Sequence, residues 1–396
     1  MKFFNSNIDK SKYFIAHYSI ETNKGFFLNK ACWELAIGQS VGNPNIRNKW
    51  ETDELYEKSS CVIMHEEEEL KNLSKGNVKI AFPIVNNDWE EDGISQLLCM
   101  VMGGQMDIST FKSCRLNKLE FPKSVLEKFL GPKYGVEGMR KFTGQKNKPF
   151  SGAIIKPKTG FSPDTLLSMV KELVDGGVDF IKEDEILSNP SFCKLEERVK
   201  VISKYLKNCG RNIVYSFCIN GDHNKVLERA KLVAELGGNG VHINFWSGLG
   251  VYNAIRKLDL PIYIHFQKSG DKVITDKRHA FGIDWNVICH LAAISGVDTI
   301  HAGMWGGYLS DDEKDLRDNL KTLTSNNVMP ALSCGMHPGL VQAIIKKFGN
   351  DFIANVGGAI HGHPMGTLAG AKAMRQSIDK SHGDEYEVAI KTWGLV

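Results

Sequence analysis

The sequence predicts a two-domain α/β protein, in which an α+β domain over residues 1–128 precedes a barrel of alternating strands and helices over residues 129–396. Three observations support this prediction. The chain has 396 residues, which is too long for one small domain. Its 42% hydrophobic and 24% charged residues are typical of a folded globular protein. From residue 150 onwards, the sequence repeats one order of elements, namely a short apolar strand, a turn and an amphipathic helix.

The first 128 residues combine strand-like and helical runs. The strand-like runs read KYFIAHYSI, CVIMH and KIAFPIV, and the helical runs lie around residues 29–38 and 95–103. Alternating or continuous apolar residues are typical of strands, and apolar residues three to four apart are typical of helices. This mixture predicts an α+β domain.

The second part of the chain contains eight candidate strands. In order, they read SGAIIK, VDFIK, NIVYSF, GVHINF, PIYIHF, VDTIHA, VMPALS and DFIANV, with helical segments between them such as residues 163–175 and 195–207. Such alternation predicts a closed parallel barrel or a doubly wound sheet, and eight strands in about 250 residues favour a (β/α)8 barrel. The active site of such a barrel lies at the carboxyl-terminal ends of its strands.

Polar residues and glycines follow almost every predicted strand. In chain order, they are Lys156, Lys158, Lys182, Asp184, Glu185, Asn244, His265, His301, Ser333, Gly335, Gly357 and Gly358. Ionisable groups are costly to desolvate, so their accumulation at one end of a barrel is difficult to explain as packing. We therefore interpret this end as an active site, although each histidine taken singly is also typical of a hydrogen-bonded core residue.

The segment FIKEDE predicts a divalent metal site. Lys182 and Asp184 are two residues apart on a strand and point the same way, and the following turn can bring Glu185 to the same point. Two carboxylates are typical ligands of Mg²⁺. A buried lysine can lose its proton and react with CO2, and the resulting carbamate would be a third anionic ligand. The alternative interpretation is an exposed charged turn with a local ion pair.

The residues after the seventh and eighth strands predict a phosphate site. Ser333 and Gly335 follow the seventh strand, and Gly357 and Gly358 follow the eighth. Backbone N–H groups without side chains beside them can approach an anion closely, and barrels of this type often bind phosphate at these two strands. The alternative interpretation is a tight turn with a helix cap.

Composition and charge narrow the class of partner. A net charge of +3 without a basic stripe gives no reason to expect nucleic acid or a membrane surface, so we expect a small molecule. The chain has no stretch that resembles a signal peptide or a transmembrane helix, and we expect a cytoplasmic location. Nine cysteines without a C-x-x-C pair are typical of reduced thiols and argue against a zinc ribbon or a disulfide framework.

Several of these segments, in this order, resemble the RuBisCO large-chain superfamily over nearly the whole chain. GAIIKPKTGFS resembles its first-strand motif with two lysines, and GGVDFIKEDE resembles its motif with the carbamylated lysine and the metal carboxylates. IHAG, S-x-G and VGG…GHP follow in register. The resemblance implies a ferredoxin-like N-terminal domain, Mg²⁺ with CO2 as a carbamate on Lys182, and a homodimer or dimer-based oligomer. In that dimer, the N-terminal domain helps to cover the partner's active site.

The barrel sequence departs from that of the carboxylases at two places. The carboxylases carry a lysine in the loop after the sixth strand, whereas the segment from Gly303 to Ser310 contains none. Phe266 replaces the arginine of their second phosphate site. These departures indicate a RuBisCO-like protein of the form IV type, not a ribulose bisphosphate carboxylase.

The N-terminal domain departs from the family as well. The catalytic glutamate of the family falls at Gly38 or Gln39, and its asparagine falls at Gly104 or Gln105. The G-T-W phosphate contact becomes G-N-P, and Pro44 in this segment has no backbone N–H to donate.

The resemblance implies three chemistries, all of which pass through an enolate. They are enolisation of a methylthio diketopentyl phosphate in methionine salvage, isomerisation of methylthioribulose phosphate, and decarboxylation or acyl transfer of 3-oxo sugar acids. We expect a Mg²⁺-dependent enolase or isomerase that acts on a phosphorylated keto sugar. The alternatives are a decarboxylase or acyl-transfer enzyme for a 3-oxo sugar acid of the 3-oxo-isoapionate type or its phosphate, and a non-catalytic relative that binds a sugar phosphate.

The candidate catalytic residues are three lysines and two histidines. Lys156, Lys158 or Lys133 could act as the general acid or base near the metal, and the sequence does not distinguish among them. His265 and His301 complete the set.

Overall fold

The computed structural model describes residues 3–396 of the chain. Its contacts divide the chain into two compact units. The first unit ends at Phe129 and also includes Gly270–Leu291, and the second comprises Leu130–Ser269 and Ala292–Val396. The sequence gives no indication that Gly270–Leu291, which follows the fifth barrel strand, groups with the first unit.

Thirteen strands lie in the described part of the chain. In order, they are β1 Tyr13–Thr22, β2 Val62–Ile63, β3 Lys75–Pro83, β4 Phe111–Glu120, β5 Phe150–Ile154, β6 Phe180–Lys182, β7 Val214–Cys218, β8 Gly240–Asn244, β9 Tyr263–Gln267, β10 Phe281–Ile283, β11 Thr299–Gly303, β12 Met329–Leu332 and β13 Ile353–Val356. Five of these strands form an open sheet and eight form a closed barrel.

Seventeen α-helices lie within residues 3–396. In order, they are α1 Leu28–Gly38, α2 Asp53–Ser59, α3 Glu67–Leu70, α4 Gly93–Val101, α5 Lys123–Leu126, α6 Gly135–Thr143, α7 Pro163–Asp175, α8 Leu195–Asn208, α9 His223–Glu235, α10 Gly250–Lys257, α11 Lys272–Thr275, α12 Trp285–Ile294, α13 Glu313–Ser325, α14 Pro338–Phe348, α15 Gly358–His361, α16 Thr367–Asp379 and α17 Asp384–Trp393. Within the described residues, no helix has the length and apolar character needed to cross a membrane.

The first unit contains a mixed sheet with the strand order β10-β4-β1-β3-β2. The long central strand β1 pairs antiparallel with β3 and β4, and β10 adds to β4 in parallel. Phe14 of β1 is fully buried, stacks on Phe82 with ring centroids 5.1 Å apart, and meets the edge of Trp89 at 5.5 Å. The predicted α+β domain is confirmed, and its architecture is consistent with the ferredoxin-like fold.

The second unit contains a closed parallel barrel of β11-β12-β13-β5-β6-β7-β8-β9. The ring closes where β13 pairs with β5 and where β9 pairs with β11. This closure excludes the doubly wound sheet and confirms the predicted (β/α)8 TIM barrel. The helix α7 begins at the predicted residue because Ser162 caps it through a bond from Thr165 N and proline occupies its first turn.

The inward-facing side chains change character along the barrel axis. Near the amino-terminal ends of the strands, they form an apolar layer, which consists of Phe150, Phe180, Val214, Tyr263, Met329, Ala331 and Ile353 with Met139 of α6. Two residues further along, the same alternation places polar side chains inside the barrel, among them Lys182, Ser216, His242, His265, His301 and Asn355. The apolar layer therefore closes the amino-terminal end, and the polar side chains lie towards the carboxyl-terminal end.

Candidate functional site

The end of β6 brings the three predicted metal residues together. The side chain of Lys182 is fully buried, and its Nζ lies 3.5 Å from Oε2 of Glu185. Asp184 is 1% exposed. Because Lys182 and Asp184 are buried, the segment does not have the form of an exposed charged turn.

Burial lowers the pKa of the Lys182 ammonium, and the neighbouring carboxylates of Glu185 and Asp184 oppose this shift only in part. Burial raises the pKa of Glu185, but the charge of Lys182 and a hydrogen bond from Ser269 outweigh it and lower the pKa. Lys182 is thus held in surroundings that favour the neutral amine, the form that acts as a nucleophile.

The side chains at this point fit a hard cation only if Lys182 contributes a negative charge. Within residues 3–396, no group of three histidine, cysteine or carboxylate side chains is arranged to hold a metal ion. Asp184 and Glu185 supply two carboxylates, which suit Mg²⁺. A carbamate on Lys182 would supply the third anionic ligand, so the donor set is compatible with the cofactors that the resemblance implies.

Glu183, between Lys182 and Asp184, faces away from the barrel interior. Both Glu183 and Arg198 of α8 are fully buried, and Arg198 Nε donates to Glu183 Oε1 at 2.9 Å. Glu183 also accepts hydrogen bonds from Tyr215 Oη at 3.2 Å and from Cys218 N at 2.7 Å. The pair fixes the backbone that carries the metal candidates, and the sequence analysis did not identify it.

Two of the three candidate lysines lie on one loop, between β5 and α7. Lys156 is 29% exposed, and its Nζ is 2.6 Å from Oδ2 of Asp184. Gly357 allows this position, because a Cβ there would lie 3.1 Å from Lys156 Cε. Lys158 is exposed on the same loop.

Lys133 does not reach this group. Its Nζ binds Asp259 Oδ1 at 2.7 Å in the segment that precedes β9, at the amino-terminal end of the barrel. The interpretation of Lys133 as the general acid or base is therefore corrected. A segment that leads into a strand lies at the opposite end of the barrel from the strand's carboxyl terminus.

His265 and His301 face each other inside the barrel, with ring centroids 4.8 Å apart. His265 Nδ1 is 2.7 Å from Thr299 Oγ1, and Asn355 Nδ2 is 2.8 Å from His301 Nε2. A third buried imidazole, that of His242, has its ring centroid 6.3 Å from the ring centroid of His265. The sequence analysis did not identify His242. Burial lowers the pKa of all three well below the usual value, so they are neutral at pH 7 and act as hydrogen-bonding groups.

The predicted phosphate residues lie at the ends of β12 and β13. Ser333 is 6% exposed, and Gly335 has a φ of +107°. A Cβ at Gly335 would lie 2.5 Å from Tyr308 N, so the loop after β12 packs directly against the loop after β11. Gly358 has open space where a side chain would lie, which leaves its backbone accessible.

Asn244, at the end of β8, has a structural role. Its side chain accepts a hydrogen bond from Trp246 N at 3.0 Å and donates one to Ser269 O at 2.9 Å.

Phe266 points outward from the barrel and stacks on Tyr252 of α10 with ring centroids 4.6 Å apart. Its ring therefore contributes to strand–helix packing and not to a binding site.

In the first unit, the side chain of Gln39 forms hydrogen bonds with backbone groups, whereas the side chain of Gln105 packs against Gly38. Gln39 Nε2 donates to Met100 O at 2.7 Å, and its Oε1 accepts from Gln105 N at 3.1 Å. The side chain of Gln105 lies where a Cβ at Gly38 would be, at 2.2 Å from that position. Gln105 therefore fills the space that a side chain at position 38 would need.

The fold defines a two-domain protein with a (β/α)8 barrel, and its polar strand ends lie at the carboxyl-terminal face, where enzymes of this architecture have their active sites. The family model for the catalytic domain of the ribulose bisphosphate carboxylase large chain matches residues 135–392, and the model for its N-terminal domain matches residues 3–125. The chain belongs to the RuBisCO large-chain superfamily, a family of enzymes.

The relatives that are similar to the chain include proteins named as carboxylases and a protein named as carboxylase-like. A ribulose bisphosphate carboxylase of Archaeoglobus fulgidus is 31% identical over 424 residues, which cover 96% of this chain and 94% of that protein. A ribulose bisphosphate carboxylase-like protein of the same organism is 31% identical over 399 residues, with 94% and 88% covered. The octameric ribulose-1,5-bisphosphate carboxylase/oxygenase of Pyrococcus horikoshii OT3 superposes with a TM-score of 0.90 at 28% identity, with 99% and 96% covered.

We predict that Arg198→Met lowers the free energy of unfolding by about 3–5 kcal/mol, because Glu183 would be left as an uncompensated buried charge. Chemical denaturation followed by circular dichroism measures the loss. Arg317→Met is the matched control, since Arg317 pairs with Glu313 at 3.0 Å on the exposed surface of α13. That control should change stability little, and an equal loss in both variants would contradict the importance of burial.

Proposed function

We propose that the chain is a RuBisCO-like enzyme that binds Mg²⁺ and forms an enolate from a phosphorylated keto sugar, and that it is not a ribulose bisphosphate carboxylase. The observation that carries this proposal is the group formed by the buried Lys182 and Asp184 with the partly exposed Glu185, and with Lys156 beside it. This group lies at the end of a barrel where enzymes of this architecture have their active sites.

Lys182, Asp184 and Glu185 would hold the metal, with Lys182 as the carbamate. The burial of Lys182 and the direction of its pKa shift support this role, because a neutral amine reacts with CO2. When bound, Mg²⁺ would supply Lewis-acid stabilisation of the negative charge of an enolate. Ser269 Oγ donates to Glu185 Oε1 at 2.7 Å and orients this carboxylate.

Side chains of this protein would transfer the proton at the carbon beside the substrate carbonyl. Lys156 is the first candidate, because Asp184 holds its ammonium at the metal group. Lys158, on the same loop, is the second. The neutral rings of His265 and His301 would bind substrate oxygens through hydrogen bonds, since burial keeps them uncharged.

The strand ends next to Lys156 favour a substrate with one phosphate. β13 pairs with β5, which places Gly357 and Gly358 beside the loop that carries Lys156. The open backbone of Gly358 and the hydroxyl of Ser333 are suitable donors to an anion. This supports the enolase or isomerase reaction over the decarboxylase or acyl-transfer alternative.

Two features support the proposal that the chain does not carboxylate ribulose bisphosphate. The segment from Gly303 to Ser310 contains no lysine that could bind the added CO2. Phe266 packs against Tyr252 and provides no charge at the mouth of the barrel.

We also propose that the chain forms a dimer-based assembly. The octameric state of the similar Pyrococcus horikoshii enzyme supports this proposal.

We predict that the metal site requires CO2. Preincubation with bicarbonate and Mg²⁺ should raise activity, and bicarbonate enriched in carbon-13 should give a carbamate signal in the NMR spectrum. Lys182→Ala should abolish both, and Asp184→Asn should weaken metal binding by removing an anionic ligand. Lys200→Ala, an exposed lysine on α8, serves as the control. Full activity of Lys182→Ala in CO2-free buffer would disprove the carbamate.

We predict no fixation of labelled CO2 onto ribulose bisphosphate. The physical reason is the absence of a cation in the loop after β11 and at position 266. Acid-stable radioactivity measures fixation, with an archaeal carboxylase as the positive control and Lys182→Ala as the background. Incorporation above that background would refute the proposal.

We predict that a ketose phosphate that fits the site takes up solvent deuterium at the carbon beside its carbonyl. Enolate formation alone gives this signal in an NMR spectrum, so net turnover is not needed. A panel of ketose phosphates and 3-oxo acids separates the alternatives. Exchange without CO2 release indicates an enolase or isomerase, and CO2 release with deuterium in the product indicates a decarboxylase. A protein that binds a sugar phosphate but exchanges no compound would be the non-catalytic relative.

A further inference from the structure

His242, on β8, is a fully buried imidazole to which the proposed function assigns no role. Within residues 3–396, neither Nδ1 nor Nε2 of its ring has a hydrogen-bond partner. A buried polar group without a partner costs free energy, so each such group in a folded protein calls for a physical reason. His265 and His301 differ from it, because each has one ring nitrogen bonded to a neighbouring side chain.

His242 belongs to a layer of four side chains in the barrel interior. In a (β/α)8 barrel, alternate strands contribute inward-facing side chains at the same level, four to a layer. The order and register of the strands give one such layer from β6, β8, β11 and β13, which consists of Lys182, His242, His301 and Asn355. Around this layer, Lys182 therefore has His242 as its neighbour on one side and Asn355 on the other.

The two halves of this layer differ in their hydrogen bonds. Asn355 Nδ2 lies 2.8 Å from His301 Nε2, which joins these two side chains. Lys182 Nζ lies 3.5 Å from Glu185 Oε2, at the limit of a hydrogen bond. Among the described residues, Asn355 Oδ1 has no partner, as is true of both ring nitrogens of His242. Polar atoms without partners therefore flank Lys182 on both sides.

The ring of His242 can donate a hydrogen bond towards Lys182. Burial is the main cause that lowers its pKa, the charge of Lys182 is the next, and the carboxylate of Glu185 opposes both. The neutral ring that results has one N–H and one nitrogen lone pair. Because neither nitrogen is already bonded, the nitrogen that is nearer to Lys182 can carry the hydrogen.

A carbamate on Lys182 would have hydrogen-bonding groups that match these two neighbours. It forms when the neutral amine attacks CO2 and loses one proton, and it then has one N–H and two oxygens that share a negative charge. Asn355 Oδ1 can accept from the N–H. One oxygen would face the metal, and the N–H of His242 can donate to the other. A hydrogen bond to such an anion is stronger than one to a neutral water molecule.

We propose that His242 donates a hydrogen bond to the carbamate on Lys182 and is the positioning residue for this group. The inference rests on the proposed function, because it concerns the carbamate of the same site. The hydrogen bond stabilises the carbamate relative to the free amine, since the neutral amine offers no anionic oxygen. The chain should therefore be half carbamylated at a lower CO2 concentration than it would be without His242.

The test measures the carbamate and not turnover. The full chain with Mg²⁺ is titrated with carbon-13 bicarbonate at constant pH, and the carbamate signal in the NMR spectrum gives the CO2 concentration at half-carbamylation. His242→Leu removes the N–H and should raise this concentration at least about tenfold, because a hydrogen bond to a charged group is lost. His242→Gln keeps an N–H donor and should restore most of the wild-type affinity for CO2.

Two controls distinguish this hydrogen bond from a purely structural role. His290→Leu removes an imidazole of α12 that meets the ring of Phe121 with centroids 5.6 Å apart, and it should leave the CO2 dependence unchanged. In protein labelled with nitrogen-15 histidine, the ring N–H signal of His242, assigned by its loss in His242→Gln, should shift when bicarbonate is added. Lys182→Ala should abolish this shift, which a structural role alone would not produce.

The proposal is overturned if His242→Leu is carbamylated at the wild-type CO2 concentration, or if His242→Gln is as impaired as His242→Leu. A ring signal that does not respond to bicarbonate also overturns it, and this measurement on the wild type decides the question even if His242→Leu does not fold. In each of these cases the wild type still forms the carbamate, so the proposed function stands. A wild type without a carbamate signal overturns the proposed role of Lys182 together with that of His242.

Discussion

The buried ion pair between Glu183 and Arg198 is the interaction on which the candidate site depends. A strand alternates its side chains between two faces, so the residues on either side of Glu183 must face the barrel interior once Glu183 is held outside. Arg198 holds it there from α8, with both side chains fully buried. Lys182 and Asp184 are therefore directed inward by a contact outside the ring of strands.

The barrel interior combines two requirements along one axis. The apolar layer near Phe150 and Phe180 supplies the packing that stabilises the ring, and the polar layer above it contains residues of the candidate site. Polar groups inside a barrel lose hydration, and this loss keeps His265 and His301 neutral and favours the neutral amine of Lys182. The same desolvation thus prepares both kinds of residue for their proposed roles.

The barrel could be predicted from the sequence, because strand ends follow directly from the apolar pattern, and so could the position of Lys182, Asp184 and Glu185 at the end of one strand. His242 was missed because it lies within the apolar run GVHINF. The contact of Glu183 with Arg198 depends on how α8 packs, which no local pattern encodes. Lys133 was misplaced because the two ends of the barrel look alike in sequence unless each loop is assigned to one of them.

The pairing of β10 with β4 has a consequence for synthesis on the ribosome. β10 lies in Gly270–Leu291, so the chain must be extended through five barrel strands before the sheet of the first unit receives its edge strand. Until then, the free edge of β4 exposes unpaired backbone groups, which are a template for association with other chains. A nascent chain of this protein therefore exposes that edge until β10 has been synthesised, and a fragment that ends at Phe129 would expose it permanently.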